Sequence, residues 1–143
     1  MAKCRAAGGK VVFTNGCFDL LHAGHVTYLE RAKHLGEVLI VGLNSDSSVR
    51  RIKEPGRPIN SEKDRLRVIA ALGAVDYVSL FSEETPLRLI REIRPDILVK
   101  GADWKEDEIV GAREVESWGG RVKRIPLVPG RSTSGILKKI QSR

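Results

Sequence analysis

Two histidines, His22 and His25, lie three residues apart in this chain, and a glycine, Gly24, lies between them. Side chains at this spacing share one face of a helix, so both imidazoles can face one ligand. The preceding residues resemble a buried strand that ends in a glycine-containing turn. The helix after that turn offers free backbone N–H groups and the positive end of its dipole. The pattern predicts a site for a phosphorylated ligand between residues 14 and 25.

The same stretch, VVFTNGCFDLLHAGHVTY, contains the pattern G-x-F-D-x-x-H-x-G-H. On these residues the chain resembles the HxGH nucleotidyltransferase superfamily, whose cytidylyltransferase-like members share that pattern. The resemblance implies that His22 and His25 are catalytic. The alternative is an ordinary helix cap followed by two surface histidines. The resemblance also implies a nucleotide-binding turn made of Thr14, Asn15, Gly16, Cys17, Phe18 and Gly24.

A second group of candidate residues follows a predicted strand near residue 100, in the sequence KGADW. Gly101 leaves room for a base or a ribose to approach the backbone, and Asp103 can accept hydrogen bonds from ribose hydroxyls. The alternative is a loop with a solvated acid and a half-buried tryptophan. We therefore expect Gly101 and Asp103 to bind the nucleotide.

A third group lies in the sequence PGRSTSGIL, where a helix is predicted to begin. As structure alone, these hydroxyls make a helix cap. The segment also resembles a second signature of the superfamily, R-x-x-x-I-S-T-T-x-I, whose hydroxyls and cation hold the β and γ phosphates. The match is partial, since Arg131 replaces the isoleucine and Ser134 replaces a threonine. The residues that the resemblance assigns to the nucleotide are Arg131, Ser132, Thr133 and Ser134.

Three more residues are expected on the side of the second substrate. Lys53 and Arg65 align with cations that bind substrate in the superfamily, and the resemblance gives Lys53 a catalytic role as well. Asp19 is expected to bind substrate. The implied cofactor is Mg²⁺, held mainly by the phosphates of ATP, with Asp19 as a candidate protein ligand.

The composition narrows the class of protein. The formal net charge is +7, yet the 25 Lys and Arg residues are spread among 18 acids. No basic block indicates nucleic-acid binding, and a positive cleft also suits phosphorylated substrates. The first ten residues lack the apolar core of a signal peptide, and no apolar run approaches the roughly 20 residues of a membrane span. We expect a cytoplasmic protein with two free thiols that binds neither membrane nor nucleic acid.

The rest of the sequence alternates between short apolar runs, typical of buried strands, and segments whose apolar residues recur at helical spacing. Strands are expected over residues 10–14, 37–44, 77–81, 97–99 and 122–125. Helices are expected over residues 22–35, 61–72, 87–93, 107–118 and 134–140. The charged segment 45–58, with its Pro and Gly residues, is expected to be a mobile active-site loop that contains a short helical turn.

This order of elements predicts an α/β fold, a Rossmann-like doubly wound sheet of about five parallel strands with helices on both faces. We expect residues 1–9 to be a flexible N-terminus and residues 10–143 to be a single nucleotidyltransferase domain. Ligands of such sheets bind at the carboxyl ends of the strands. The three groups of candidate residues all follow strands, so they can converge at that edge.

Within the superfamily, the longest resemblance is to the heptose 1-phosphate adenylyltransferase domains. It rests on the phrases KEPGRPIN, FSEETPLRLI, RPDILVKGADW and GGRVKRIPLVPGRSTS. It implies transfer of AMP from ATP to D-glycero-β-D-manno-heptose 1-phosphate by a homodimer, for lipopolysaccharide or a similar surface glycan. The alternatives are a cytidylyltransferase that acts on glycerol 3-phosphate or a related polyol phosphate, and a non-catalytic module that binds nucleotide or RNA.

Overall fold

The structure, a computed structural model that describes residues 2–142, is built on one sheet of five parallel strands. The strand order is β3-β2-β1-β4-β5. This arrangement confirms the expected α/β, Rossmann-like fold. The strands are β1 (Val11–Gly16), β2 (Val38–Asn44), β3 (Tyr77–Phe81), β4 (Ile97–Gly101) and β5 (Arg121–Ile125).

Seven α-helices connect or flank the strands in the described part of the chain. They are α1 (Ala2–Ala6), α2 (Ala23–Lys33), α3 (Asp46–Ile52), α4 (Glu62–Ala70), α5 (Leu87–Ile93), α6 (Ala112–Ser117) and α7 (Thr133–Gln141). Within residues 2–142, no helix has the length and apolar character needed to cross a membrane.

The central strands are apolar because both of their faces are covered. Val12 and Leu39 point into one core cluster, together with Leu29 of α2 and Ile69 of α4. Phe13 lies in a second cluster on the opposite face. That cluster also contains Ile90 of α5 and Val115 of α6. Continuous apolar runs such as VLIVGL are therefore buried on both sides, as in parallel sheets that carry helices on each face.

The strand order reverses between β1 and β4. The chain moves outward from β1 through β2 to β3, then returns to place β4 on the other side of β1. Connections that leave β1 and β4 therefore diverge onto opposite faces and open a crevice at the carboxyl end of the sheet. Gly16 and Gly101, the last residues of these two strands, border that crevice.

The N-terminal segment, which the sequence analysis expects to be flexible, contacts the rest of the protein over its described residues. Ala2–Ala6 is helical, and the Arg5 guanidinium donates hydrogen bonds to the carbonyls of Ile93 and Arg94 at 2.8 and 2.6 Å. Cys4 packs against the second core cluster. These contacts attach the segment to the end of α5. The outer limits of the two expected ranges, residues 1 and 143, lie outside the described residues.

The helix expected over residues 107–118 is broken. A single 3-10 turn, Glu106–Glu108, is followed by α6, which begins only at Ala112. Gly111 separates them with a φ of +89°, a value that L side chains rarely adopt. A Cβ at this position would also lie 2.7 Å from Ile90 Cδ1. The tight packing against α5 explains both the glycine and the break.

Candidate functional site

The turn after β1 brings an aromatic ring against the second histidine. Phe18 has a φ of +46°, in the left-handed region that non-glycine residues seldom occupy. Its ring is nearly buried and meets the His25 ring edge-on, with 5.4 Å between the centroids. Backbone strain of this kind is found at sites where the surrounding structure holds a turn in one shape. Here it fixes the position of the ring that supports His25.

The two histidines are fixed by the backbone of the helix start. His22 precedes α2 as its N-cap, and its Nδ1 accepts a hydrogen bond from the Gly24 N–H at 3.1 Å. His25 Nδ1 accepts from the His22 N–H at 3.3 Å. The rings stack with their centroids 3.9 Å apart. In the neutral form of each ring, the proton must then be on Nε2, which is free to donate to a ligand.

The surroundings favour that neutral form. Burial, with the neighbouring His22 acting in the same direction, lowers the pKa of His25 to about 4. Burial also lowers the pKa of His22, with the positive charge of Arg131 acting in the same direction. Near pH 7 both rings are therefore uncharged hydrogen-bond donors. Such donors can stabilise a charge that grows on a phosphoryl group without forming tight ion pairs in the ground state.

A cavity of about 330 Å³ opens in front of these histidines, and we call it the first cavity. Its walls come from the turn after β1, the end of β4 and the start of α7. Apolar side chains, Leu127 and Val128, face these polar walls. The first cavity is lined by most of the residues expected to bind the nucleotide, namely Asn15, Gly16, Cys17, Phe18, Gly24, Gly101, Asp103, Arg131, Ser132 and Thr133.

The start of α7 brings hydroxyl and backbone N–H groups to this cavity. Ser132 is the N-cap, and its hydroxyl accepts a hydrogen bond from the Gly135 N–H at 2.9 Å. Thr133 Oγ1 donates to the Leu20 carbonyl at 3.4 Å, which joins α7 to the turn after β1. A nine-residue helix that begins here directs its positive end toward the cavity. The segment suits an anionic group such as a polyphosphate.

A larger cavity of about 590 Å³ lies beside the first, and we call it the second cavity. Asn15, Cys17 and His25 line both cavities, so the two are adjoining parts of one cleft. Lys53, an exposed residue at the end of α3, lies on the wall of the second cavity. Ser134, expected in the nucleotide site, also lines this second cavity.

Thr14 lines neither cavity, which argues against its expected role in nucleotide binding. Its side chain is completely buried. Its hydroxyl donates to the Val99 carbonyl at 2.9 Å and lies 2.7 Å from the Tyr28 hydroxyl. These bonds tie β1 to β4 and to α2. Thr14 therefore holds together the elements that form the crevice.

Asp19 is also engaged by the protein, which argues against its expected roles as a substrate or metal ligand. The residue is 4% exposed, and its carboxylate accepts hydrogen bonds from Arg57 Nε, Ile59 N and Asn60 N at 2.7 to 2.8 Å. Burial alone would raise the carboxyl pKa, but these hydrogen bonds lower it. No cluster of three or more His, Cys, Asp or Glu side chains suitable for a metal occurs among residues 2–142.

Arg65, like Asp19, is a buried charged residue whose partners lie within the protein. It is 1% exposed, and its guanidinium donates to the carbonyls of Cys17, Asn44 and Asn60 at 2.7 to 3.0 Å. It also pairs with Asp46 at 2.9 Å. With four hydrogen bonds to the protein, Arg65 does not line either cavity. It joins the turn after β1, the end of β2 and the residue 53–60 loop, and these bonds argue against its expected direct contact with substrate.

Sequence reasoning gave no role to two residues on the cavity walls. Tyr28 is partly buried, lines the first cavity, and has its pKa raised by that burial. Lys100 lines both cavities, with its Nζ 3.5 Å from the Asn15 carbonyl. The position of Lys100 directly after an apolar strand was a usable signal, because side chains at strand ends border the crevice.

Comparisons with known proteins agree with this geometry. Residues 13–138 match the family described as cytidylyltransferase-like. That range contains both histidines and the start of α7. The match therefore spans every wall of the two cavities.

Two similar proteins are each named bifunctional protein HldE. The one from Magnetococcus marinus is 61% identical over 142 residues, which cover 99% of this chain and 29% of that protein. The one from Methylobacillus flagellatus is 59% identical over 138 residues, covering 96% and 28% respectively. The chain thus spans less than a third of the length of these relatives.

A solved structure with a similar fold is described as the lipopolysaccharide core biosynthesis protein from Thermoplasma volcanium. It is 35% identical in sequence, with a TM-score of 0.70. The alignment covers 85% of this chain and 98% of that one. The length of that protein corresponds to a single domain of this size.

Proposed function

We propose that this chain, which belongs to the cytidylyltransferase-like family, transfers AMP from ATP to D-glycero-β-D-manno-heptose 1-phosphate. A phosphate oxygen of the sugar attacks the α-phosphorus of ATP, the bond from that phosphorus to the bridging oxygen breaks, and pyrophosphate leaves. The observation that carries the proposal is the adjoining pair of cavities that meet at His25. A transferase needs two anionic substrates side by side, and the cleft offers two places.

The first cavity suits ATP. The Nε2 atoms of His22 and His25 donate toward the α-phosphate, where negative charge grows during transfer. Arg131 and the start of α7 bind the β and γ phosphates. Gly101 and Asp103 bind the nucleoside. In this assignment, the neutral histidines contribute most when charge is redistributed, as preorganised donors do.

The second cavity suits the sugar phosphate, with Lys53 as its cation. A sugar phosphate is already ionised near neutral pH because its second pKa is about 6. It therefore needs no general base, and the protein's task is to align it with the α-phosphorus. Asp19 and Arg65 support this by holding the residue 53–60 loop and the turn after β1 together.

In this proposal, Mg²⁺ binds together with the nucleotide. Nucleotidyltransferases of this family generally use a divalent metal. Asp19, the expected protein ligand, already accepts three hydrogen bonds from the protein. The side chains therefore do not fit a cation cage built by the protein, and we assign the ion to the phosphates of ATP. No residue in this chain is given the role of metal ligand.

Adenine and heptose are proposed on sequence similarity. The resemblance to heptose adenylyltransferase domains, the HldE relatives and the lipopolysaccharide core biosynthesis protein support the same pathway. The product would be a precursor of lipopolysaccharide or a related surface glycan. A homodimer is also proposed, because the resemblance to heptose 1-phosphate adenylyltransferase domains implies one.

The test is pyrophosphate release, measured with ATP, CTP, GTP and UTP against heptose 1-phosphate and glycerol 3-phosphate. We expect the highest kcat/KM for ATP with the heptose. If CTP with a polyol phosphate is turned over at least as well, the chain is a cytidylyltransferase. Nucleotide binding without pyrophosphate release from any pair would instead indicate a binding module. Light scattering during size-exclusion chromatography tests the dimer.

A further inference from the structure

Lys100 occupies the boundary between the two cavities. Several residues line both cavities, and Lys100 is the only Lys or Arg among them in the described part of the chain. Arg131 lines only the first cavity, and Lys53 lines only the second. A cation at the boundary faces ligands on both sides. Lys100 therefore differs from Arg131 and Lys53, each of which can reach a ligand in one cavity only.

The Lys100 ammonium has few partners in the protein. Lys100 Nζ donates a hydrogen bond to the Asn15 carbonyl at 3.5 Å and lies 5.0 Å from the centre of the Trp104 ring. Within residues 2–142 it forms no salt bridge. Burial lowers its pKa, Lys53 lowers it further, and Cys17 and Asp103 act in the opposite direction. A partly desolvated ammonium with unused N–H donors is suited to bind an anion.

The proposed reaction brings two anionic groups together at the boundary between the two cavities. The acceptor phosphate and the α-phosphate are both negatively charged, and they must come into contact for the new P–O bond to form. Their repulsion is strong in a cleft from which water is partly excluded. Neutral histidines donate hydrogen bonds but carry no positive charge to offset it. A positive charge held between the two phosphates lowers the barrier directly.

We propose that Lys100 is a catalytic residue that binds the acceptor phosphate and the α-phosphate at the same time. This inference rests on the proposed function, since it requires transfer between two phosphates. The ammonium keeps its protons throughout the step. The acceptor oxygen forms a bond to the α-phosphorus as the bond to the bridging oxygen breaks, and pyrophosphate carries away the released electron pair.

The kinetic test compares Lys100→Met with Lys100→Arg and with Lys123→Met. Lys123 is an exposed lysine on the neighbouring strand β5, and it lines neither cavity. We expect Lys100→Met to lower kcat by about a hundredfold, as when one preorganised donor is lost. Lys100→Arg should recover part of this rate, and Lys123→Met should match the unchanged chain. A kcat within twofold for Lys100→Met would overturn the proposal.

A structural role for Lys100 predicts a different thermal melt. Because burial disfavours the ammonium, Lys100→Met should melt at or above the temperature of the unchanged chain. A lysine needed for folding would instead lower the melting temperature together with the rate. If Lys100→Met melts much lower and Lys100→Arg restores stability without restoring kcat, Lys100 is not a catalytic residue.

A binding measurement tests Lys100 without relying on the identity of the acceptor. Its probes are α,β-methylene-ATP, which cannot transfer AMP, and inorganic phosphate as a stand-in for the acceptor. We expect Lys100→Met to bind the nucleotide analogue within about threefold of normal, but to bind phosphate in its presence about tenfold more weakly. Equal phosphate affinities in the two proteins would refute the proposal.

The two tests also separate the failure of this inference from failure of the proposed function. If another nucleotide and acceptor prove to be the substrates, Lys100→Met should still lower kcat for that pair. The assignment to heptose and ATP would then be wrong, while the role of Lys100 is supported. If no pair is turned over, the phosphate-binding result alone decides.

Discussion

His22 and His25 are oriented by the same turn of backbone, since Nδ1 of each ring accepts an N–H from residues 22–24. This shared arrangement directs both Nε2 atoms away from the helix start and toward the first cavity. The ring stacking, with 3.9 Å between centroids, keeps the two donors side by side. A single phosphoryl group can therefore contact both imidazoles.

Replacing either histidine by alanine should lower kcat far more than it raises KM. The expected cost is on the order of 3 kcal/mol, or about a hundredfold in kcat, since each donor acts mainly on charge that develops in the transition state. The measurement is steady-state pyrophosphate release by His22→Ala and His25→Ala. The control is His34→Ala, which changes an exposed histidine that follows the last turn of α2.

Thermal melts of the same variants separate catalysis from folding. Both histidines border the first cavity, so the free energy of unfolding should fall by no more than about 1 kcal/mol, the cost of losing a helix cap. A near-normal kcat in both variants, or a melt that collapses as activity is lost, would make these residues structural.

The stability of the protein should depend on pH through His25. The pKa is about 4 in the folded chain against an ordinary value of 6.5. Between these values the unfolded chain binds a proton that the folded chain does not, so acid favours unfolding. The free energy of unfolding should fall by about 2 kcal/mol between pH 7.5 and 4.5 from this group.

Chemical denaturation at the two pH values measures this effect, with His25→Asn as the comparison. The variant should lose less stability than the unchanged chain on acidification, because the titrating group is gone. The pKa of Asp19 lies below 3.8, so the stability it provides is lost only at lower pH. Equal pH dependence in both proteins would show that the folded-state pKa of His25 is close to its ordinary value.

Lys53→Ala should impair the acceptor more than ATP. Lys53 lines the second cavity and does not line the first. The change should therefore raise the KM for the sugar phosphate or lower kcat, and leave the affinity for ATP nearly unchanged. Lys63→Ala, on the exposed face of α4, is the matched control. Loss of ATP affinity with normal acceptor kinetics would place Lys53 on the other substrate.

Arg65→Met should destabilise the protein as well as slow it. The change leaves three carbonyl acceptors, of which that of Asn44 is buried, and Asp46 without their donor. Removing one partner from a buried ionic network costs about 3 kcal/mol or more. Arg67→Met, an exposed position on the same helix, should cost less than about 0.5 kcal/mol. A lost acceptor affinity with an unchanged melt would instead indicate direct substrate contact.

The sequence alone was enough to predict the five strands and most of the helices between them. Long apolar runs such as EVLIVGLN leave little choice but a strand buried on both faces. Glycine and proline marked the ends of most helices. The spacing of His22 and His25 was sufficient to predict that the two rings lie side by side, because both residues belong to the start of one helix. Features that depend only on residues close together in the sequence were therefore predictable.

Contacts between distant segments were decided only by the tertiary structure. The resemblance to the superfamily assigned Asp19 and Arg65 to the substrate, yet both side chains form several hydrogen bonds within the protein. Arg65 bonds to the Cys17 carbonyl, 48 residues away, and Asp19 to the Asn60 N–H, 41 residues away. Conversely, Lys100 lines the boundary of the two cavities because β4 pairs with β1. A residue's type shows what it can bind, whereas burial and partners depend on which segments the fold brings together.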